Sequence, residues 1–121
     1  MIRFTKSHEW IQVQDGNRGT VGITDYAQKE LGEIVYIELP KLGQVVKAGE
    51  EACVLESTKA AADVYAPVSG KIIAVNEALR NAPSTINQTA EESGWLFKIE
   101  LTHPEELKSL MDFNQYESII K

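Results

Sequence analysis

Two stretches with the same strand pattern flank the segment Glu56-Ser57-Thr58-Lys59-Ala60-Ala61-Ala62-Asp63-Val64-Tyr65-Ala66-Pro67-Val68-Ser69-Gly70. Lys59 falls where the turn between them is expected, and the small residues after it leave its amine unshielded. A lysine at a hairpin tip in front of a rigid sheet is accessible to an enzyme that acylates the amine. The alternative is a solvated charge that protects a sheet edge, the usual role of a lone lysine at a turn. The segment therefore raises the hypothesis of a carrier for a group attached to Lys59.

Period-2 alternation dominates the chain and predicts a mainly β protein. Turn residues separate the alternating segments at Asp15-Gly16-Asn17, Leu42-Gly43, Ala48-Gly49-Glu50 and Ser69-Gly70. Many short strands with regular turns are typical of a sandwich or a barrel. Strands are predicted at residues 10–13, 19–23, 34–39, 52–56, 62–65, 71–75 and 95–100.

Helices are predicted to be few and short. Thr24 and Asp25 are capping residues and Gly32 is a natural stop, so a two-turn helix is expected between them. Thr102-His103-Pro104-Glu105 fits a capping box with proline in the first turn, and the apolar residues after it fall on one helix face. The last segment, residues 113–120, predicts a further short helix that packs against the sheets.

A weak internal repeat relates the two halves of the chain. Residues 32–37 resemble residues 70–75, and residues 53–56 resemble residues 97–100. Two such halves stacked face to face predict a flattened barrel with pseudo-two-fold symmetry, with Lys59 in the link between them.

Length and composition are those of one ordinary globular domain. The 121 residues, 43% hydrophobic and 25% charged, suffice for a core without disulfides. No apolar stretch approaches the roughly 20 residues that span a bilayer. Because Met1 is not followed by a secretory or transit segment, we expect a cytoplasmic protein with no membrane association.

The charge and the cysteine count limit the function classes. A net charge of −6 and a pI near 4.9 argue against nucleic-acid binding and favour basic protein partners. Cys53 is the only cysteine, so it has no disulfide partner within the chain and is expected to pack as a small apolar residue. His8 and His103 are far apart in the sequence, and neither stands in a metal-ligand motif. Neither a metal site nor a Cys-His catalytic pair is therefore predicted.

Several specific motifs stand in order along the chain. They are Ser7-His8-Glu9-Trp10, Val21-Gly22-Ile23-Thr24-Asp25-Tyr26-Ala27-Gln28, Leu31-Gly32-Glu33-Ile34-Val35-Tyr36-Ile37-Glu38-Leu39-Pro40, the Lys59 segment, Val75-Asn76-Glu77-Ala78-Leu79 and Gly94-Trp95-Leu96-Phe97-Lys98-Ile99. From near the N-terminus to about Met111, the chain resembles the H protein of the glycine cleavage system, a family of lipoyl carriers. The resemblance implies a hybrid barrel-sandwich, lipoyl-domain-like, of two antiparallel sheets with short helices, including a C-terminal helical segment. It implies a single lipoyl-carrier domain over residues 1–121, with a core of about 3–101 and an extension of about 102–121.

The resemblance also implies a function. Lys59 matches the lysine that bears lipoic acid through an amide bond, attached by a lipoate ligase or lipoyltransferase. The arm then accepts the aminomethyl group of glycine from a pyridoxal-phosphate glycine decarboxylase, the P protein. A tetrahydrofolate-dependent aminomethyltransferase, the T protein, takes the one-carbon unit, and a flavin-dependent dihydrolipoyl dehydrogenase, the L protein, reoxidises the arm. The carrier itself is not an enzyme, and we expect a monomer.

Four residues match positions that line the cleft for the loaded arm in this family. Ser7, Glu9 and Asp63 are the main candidates for holding its ammonium, and Glu30 is a weaker one. Trp10 beside Glu9 offers an aromatic wall that excludes water. The ordinary role of Glu9 and Asp63 would be that of surface carboxylates.

Glu56 and Gly70 match positions that help lipoylating enzymes dock, and their ordinary roles would be a solvated strand end and a turn glycine. The chain departs from the family at Thr58 and Ala62, where Val and Ser are usual, and in residues 87–94, where a loop with proline, tyrosine and glycine is usual. That loop is expected either to shape contact with a partner or to be a solvated surface loop.

Three other functions compete with this one. A lipoyl or biotinyl domain of a larger enzyme shares the sheet and the lysine tip, but biotin carriers usually flank the lysine with methionine. Because Thr58 and Ala60 stand here, biotinylation is disfavoured. A lipoyl-relay carrier would pass lipoyl groups from Lys59 to 2-oxo acid dehydrogenase subunits. A plain interaction domain would leave Lys59 unmodified.

Overall fold

The computed structural model describes residues 1–14 and 16–121. Its strands are β1 (Ile2–Phe4), β2 (Glu9–Val13), β3 (Arg18–Ile23), β4 (Ile34–Glu38), β5 (Val45–Val46), β6 (Glu51–Ser57), β7 (Ala61–Tyr65), β8 (Gly70–Val75) and β9 (Phe97–Leu101). Its helices are α1 (Asp25–Leu31), α2 (Thr85–Thr89) and α3 (Phe113–Ile120), with two 3-10 helices at Glu77–Arg80 and Pro104–Ser109.

The strands form two antiparallel sheets. One has six strands in the order β1-β2-β3-β9-β8-β5, and the other has three in the order β4-β6-β7. This arrangement confirms the predicted mainly β barrel-sandwich with short helices and a C-terminal helix. The segments of the internal repeat correspond in their pairing, since β4 pairs with β6 and β8 pairs with β9.

The main core lies between the sheets because alternate residues of each strand point inward. Ile11, Val21 and Ile99 from the larger sheet are fully buried with Leu55 from the smaller one. Cys53 packs in the same core, as expected for a small apolar residue, and burial, followed by the charge of Glu9, raises the pKa of its thiol. The thiol therefore stays neutral and shielded.

A second, smaller cluster holds the C-terminal helix against β1 and β2. Phe4, Trp10 and Tyr116 are buried together, and the rings of Phe4 and Tyr116 stack at a centroid distance of 4.8 Å. Met111 ties the chain entering α3 to β1 through two backbone hydrogen bonds with Phe4. The end of the chain is therefore part of the packed structure.

The helix predictions have mixed outcomes. Helix α1 is confirmed, with the Thr24 hydroxyl accepting from Ala27 N–H and Gly32 at a positive φ of +83°. The capping box at residues 102–105 is wrong: the 3-10 helix Pro104–Ser109 forms there, without a side-chain cap, because the Thr102 hydroxyl pairs with His103 Nδ1. A capping box is present instead at Asp112, where it opens α3.

Segment 87–94 begins within α2 and continues as turns, with Ala90 and Gly94 buried. The side chains of Gln88, Glu91, Glu92 and Ser93 are exposed, so the segment is partly packed and partly solvated. The predicted hairpin signal 15–17 includes Asp15, which lies outside the described residues, but β2 and β3 on either side do pair. Within residues 1–14 and 16–121, none of the helices has the length and apolar character needed to cross a membrane.

Candidate functional site

Lys59 lies at the tip of the β6–β7 hairpin. Ser57 shapes the turn: its N–H donates to Ala60 O at 2.8 Å, and its hydroxyl accepts from the N–H groups of Lys59 and Ala60 at 3.1 Å each. A serine side chain that binds the backbone of the following residues is a common turn device. The tight turn leaves the side chain of Lys59 exposed.

The amine of Lys59 is chemically available. Lys59 forms no ion pair with any residue in the described part of the chain. Its stem passes over Gly32, where an added Cβ would lie 3.0 Å from Lys59 Cε and 3.7 Å from Nζ. Since glycine has no side chain, this position leaves room for the lysine stem as it leaves the hairpin.

A cleft of about 280 Å³ begins beside the tip, between helix α1 and strand β7. Leu31 precedes the glycine under the Lys59 stem, and Ala62 follows the tip by three residues, so one end of the cleft adjoins Lys59. The lining residues are Ser7, His8, Glu9, Ile23, Tyr26, Ala27, Glu30, Leu31, Ala62, Asp63 and Val64. They include three carboxylates and neither lysine nor arginine, so the cleft favours a cationic guest.

Glu9 is the most constrained of these carboxylates. Its side chain is only 2% exposed, and its Oε1 accepts from the hydroxyls of Thr5 and Ser7. Its Oε2 accepts from Tyr65 N–H at 3.1 Å. Because Glu9 belongs to the larger sheet and Tyr65 to the smaller one, the buried carboxylate joins the two sheets behind the cleft. These three hydrogen bonds hold the buried carboxylate in place.

The other predicted cleft residues are placed differently. Ser7 is exposed and donates to Glu9 Oε1 at 2.6 Å, so its hydroxyl is already directed at the carboxylate. Asp63 and Glu30 are exposed on opposite walls, Asp63 from β7 and Glu30 from α1. Thus all four predicted residues line one cleft, with Glu9 held inside and the other two carboxylates at its rim.

The wall of the cleft also contains His8, which the sequence analysis left without a role. His8 has a positive φ of 73°, an uncommon conformation for a residue other than glycine. Its Nδ1 lies 2.8 Å from the Tyr116 hydroxyl, which in turn lies 2.7 Å from the Thr24 hydroxyl. Helix α3 therefore supports both His8 and the start of α1.

Glu56 and Gly70, the residues predicted to help lipoylation, lie in different sheets. Glu56 is exposed on β6, opposite Ala61 and Tyr36. Gly70 is buried at the start of β8, where an added Cβ would clash with Glu100 O and lie 2.8 Å from Ile99 Cγ1. The structure gives Gly70 a packing role, whereas its recognition by an enzyme stays a prediction.

Several residues that shape the site were missed from the sequence. Thr5, Tyr26 and Tyr116 act through contacts that no local sequence motif indicates. His8 stands inside the Ser7–Trp10 motif and would have been found by extending the cleft assignment to every polar residue of that motif.

Two antiparallel sheets that present an exposed lysine on a hairpin beside an acidic cleft define a carrier of the lipoyl-domain type. Comparison with known proteins specifies the family. The family model described as glycine cleavage H-protein matches residues 2–121. The chain therefore belongs to the glycine cleavage H-protein family, the lipoyl carriers of the glycine cleavage system.

Individual relatives agree over nearly the whole chain. The glycine cleavage system H protein of Alcanivorax borkumensis is 52% identical over 119 residues, which cover 98% of this chain and 92% of the relative. That of Beijerinckia indica is 52% identical over 121 residues, covering 100% and 97%. The crystal structure of a glycine cleavage system H protein from Mycobacterium marinum superposes with a TM-score of 0.88 at 34% identity, covering 98% of this chain and 94% of that one.

Proposed function

We propose that Lys59 bears lipoic acid and that the protein carries the aminomethyl group of glycine from a glycine decarboxylase to an aminomethyltransferase, with reoxidation by dihydrolipoyl dehydrogenase. The observation that supports this proposal is the exposed Lys59 amine at the hairpin tip, with Gly32 leaving space for its stem. When attached, the lipoyl group supplies a disulfide that opens as it accepts the aminomethyl group.

The chain's own residues present, receive and protect that group. Ser57 holds the turn in which the Lys59 side chain is exposed. Glu9, with Ser7 directed at it, offers a fixed negative charge to an ammonium, and Asp63 and Glu30 add charge at the rim. An ammonium about 4 Å from a carboxylate gains ~4 kcal/mol at an effective dielectric of about 20, whereas exposed pairs are typically worth about 0–1 kcal/mol. Burial of Glu9 therefore makes it the strongest of the three carboxylates.

The role proposed is that of a carrier without catalysis of its own. The full chain would act as one carrier domain, with a core of about 3–101 and the helical extension 102–121, as a monomer in the cytoplasm. A lipoate ligase or lipoyltransferase would load it. Its net charge of −6 suits transient encounters with basic surfaces of these partners.

The experiment that tests the proposal is loading followed by turnover. The protein is incubated with lipoate, ATP and a lipoate ligase, and intact mass with tryptic mapping locates the label. Label on Lys59 alone is expected, and label on another lysine, or none, would overturn the assignment.

The loaded protein is then mixed with glycine and a glycine decarboxylase, and carbon dioxide release is measured with and without the carrier. Release that depends on loaded carrier supports the aminomethyl shuttle. Loading without such release, together with transfer of lipoyl groups to a 2-oxo acid dehydrogenase subunit, would replace the shuttle by the relay function.

A further inference from the structure

Asn87, on helix α2, forms three hydrogen bonds through its half-buried side chain. Its Nδ2 donates to Gly32 O at 2.8 Å and to Gln28 Oε1 at 3.0 Å, and its Oδ1 accepts from Ile34 N–H at 2.8 Å. The amide thus binds both the end of α1 and the first residue of β4.

The two backbone groups that Asn87 binds flank Glu33. The carbonyl of Glu33 accepts from Thr58 N–H at 3.0 Å, and Thr58 directly precedes Lys59. The connection from α2 to the lysine tip therefore passes through loop 32–34, which comprises the α1–β4 connection and the first residue of β4. It includes the glycine under the Lys59 stem.

The bonds within the tip do not fix its direction. The bonds of Ser57 with Lys59 and Ala60 close the turn upon itself. Within the described residues, the pairing of β6 with β4 extends to Ser57. One residue later, the hydrogen bond from Thr58 N–H to Glu33 O connects the turn to the segment that precedes β4. A shift of loop 32–34 would therefore move the acceptor on which the tip depends.

We infer that Asn87 is a positioning residue for lipoylation, which clamps loop 32–34 so that the Lys59 tip is held in one orientation. A side chain in this place must supply a donor to a carbonyl and an acceptor to an N–H at once, and the asparagine amide does both. Asn87, the first residue of segment 87–94, is thus connected to the lysine tip through hydrogen bonds. The inference rests on the proposed function because it names a residue that serves the loading of Lys59.

The variants that test it are Asn87→Asp and Asn87→Ala, with Gln88→Ala as the control. Asn87→Asp keeps the shape and the acceptor for Ile34 N–H but removes the donor to Gly32 O. Gln88 lies on the same helix, is exposed, and forms no side-chain hydrogen bond among the described residues. Asn87→Asp carries the test if Asn87→Ala fails to fold.

The first measurement is solvent exchange of the Thr58 amide proton by NMR in unmodified protein. Both Asn87 variants are expected to exchange about 3- to 10-fold faster at Thr58, the range that matches the net worth of one hydrogen bond. The Tyr65 amide, which is bound to Glu9, is expected to exchange as in the unmutated protein. Unchanged exchange at Thr58 would overturn the inference. An equal increase at Tyr65 would also overturn it, because it would indicate a general loss of stability.

The second measurement is the steady-state rate of lipoylation by a lipoate ligase. A tip that is correctly placed for only a fraction of the time lowers apparent affinity by that fraction. KM for the carrier is therefore expected to rise by the factor by which the correctly placed fraction falls, with kcat unchanged. A KM equal to that of Gln88→Ala would reject the positioning role.

The two proposals can fail separately. If the unmutated protein is not loaded on Lys59 but the Asn87 variants still speed Thr58 exchange, the lipoyl assignment fails. The effect of Asn87 on the position of the tip is then still supported. If the unmutated protein is loaded and the Asn87 variants match the control in both measurements, the carrier function stands and the inference fails.

Discussion

Two turns with similar chemistry treat their charged residues in opposite ways. In the hairpin turn the Ser57 hydroxyl binds two N–H groups, and in the turn before β2 the Thr5 hydroxyl binds Glu9 N–H at 3.0 Å. The side chain of Lys59 in the hairpin turn is exposed. The carboxylate of Glu9, in contrast, folds back onto the turn before β2 and accepts three hydrogen bonds. The group proposed to bear lipoic acid is left free, and the group proposed to receive the ammonium of the loaded arm is fixed in advance.

The contrast has an energetic side. A free lysine on a turn costs the fold nothing and contributes little to it. A buried carboxylate is tolerated only while its hydrogen-bond donors stay in place, because an unpaired buried charge is strongly unfavourable. Function and stability are therefore separable at Lys59 and coupled at Glu9.

The largest effect is expected from Lys59→Arg. Arginine keeps the positive charge but its guanidinium is too basic to accept an acyl group, so lipoylation should be lost completely. The free energy of unfolding should stay within about 0.5 kcal/mol of the unmutated value, as for most exposed substitutions. Intact mass after incubation with a lipoate ligase, and chemical denaturation, measure the two. Residual loading of the variant would show that another lysine is used.

Glu9→Gln is expected to affect both stability and protection of the loaded arm. Glutamine presents an N–H₂ group where the carboxylate accepted hydrogen bonds, so we expect a loss of about 1–3 kcal/mol in the free energy of unfolding. Release of formaldehyde from the loaded carrier should be faster, because the ammonium loses its fixed counter-charge. Urea denaturation and a formaldehyde assay provide the measurements.

Asp63→Asn is the matched control within the same cleft. Asp63 is exposed and forms no side-chain hydrogen bond among the described residues, so stability should change by less than about 0.5 kcal/mol. Formaldehyde release should rise less than for Glu9→Gln. If both variants release formaldehyde at the unmutated rate, the cleft does not protect the arm through these carboxylates.

The part of this molecule that local sequence could predict is the part with local causes. The longer strands and α1 follow from alternation and capping residues, and Lys59 follows from its place between two strand patterns. Strands β1 and β5 are only three and two residues long, too short for alternation to register. Helix α2 begins after Ser84, whose side chain makes no cap, and spans one turn, so neither a capping signal nor a helical period announces it.

The environment of the cleft depends on contacts between distant parts of the chain. Glu9 owes one of its bonds to a backbone N–H 56 residues away, and His8 owes its orientation to a tyrosine 108 residues away. The sequence named Glu9 as a cleft residue through family resemblance, with Trp10 as a wall against water, but it did not indicate the three hydrogen bonds that hold the carboxylate. Only the stacking of the two sheets brings these groups together.

Tyr116→Phe tests how much the cleft depends on the C-terminal helix. Phenylalanine keeps the stacking on Phe4 but leaves His8 and Thr24 without the shared hydroxyl, so a loss of about 0.5–1.5 kcal/mol is expected near pH 7. NMR shifts of the His8 ring should change. Tyr36→Phe, at an exposed tyrosine of β4, is the control and should leave both quantities unchanged.

The same variant makes a prediction about alkaline pH. Burial, the main cause, raises the pKa of Tyr116 above its ordinary value of about 10. Since the neutral phenol is favoured in the folded state, its contribution is complete below about pH 10 and is lost as the pH rises through the folded pKa. Unfolding free energies measured from pH 8 upward should therefore fall less steeply for Tyr116→Phe. Parallel curves would mean that the phenol does not titrate differently on folding.

The smallest effect is expected from Glu56→Gln, which sharpens the comparison at the exposed turn. Glu56 lies three residues before Lys59 on the exposed face of β6, where its charge can act on an approaching enzyme but contributes little to the fold. Charges at the rim of an interface mainly change association rates, and an exposed pair is worth about 0.2–1 kcal/mol. Lipoylation should slow by about 1.5- to 5-fold while the melting temperature stays nearly constant.

The control for this prediction is Glu51→Gln, which removes the same charge from the other end of β6. If Glu56 contacts the enzyme, Glu51→Gln should be loaded at nearly the unmutated rate. The deficit of Glu56→Gln should also shrink as salt is raised toward 1 M, where the Debye length is about 3 Å. Equal slowing by both variants would assign the effect to net charge, and equal rates for Glu56→Gln and the unmutated protein would remove Glu56 from recognition. In either case the hairpin tip would be recognised through its shape and its lysine, without a specific carboxylate beside it.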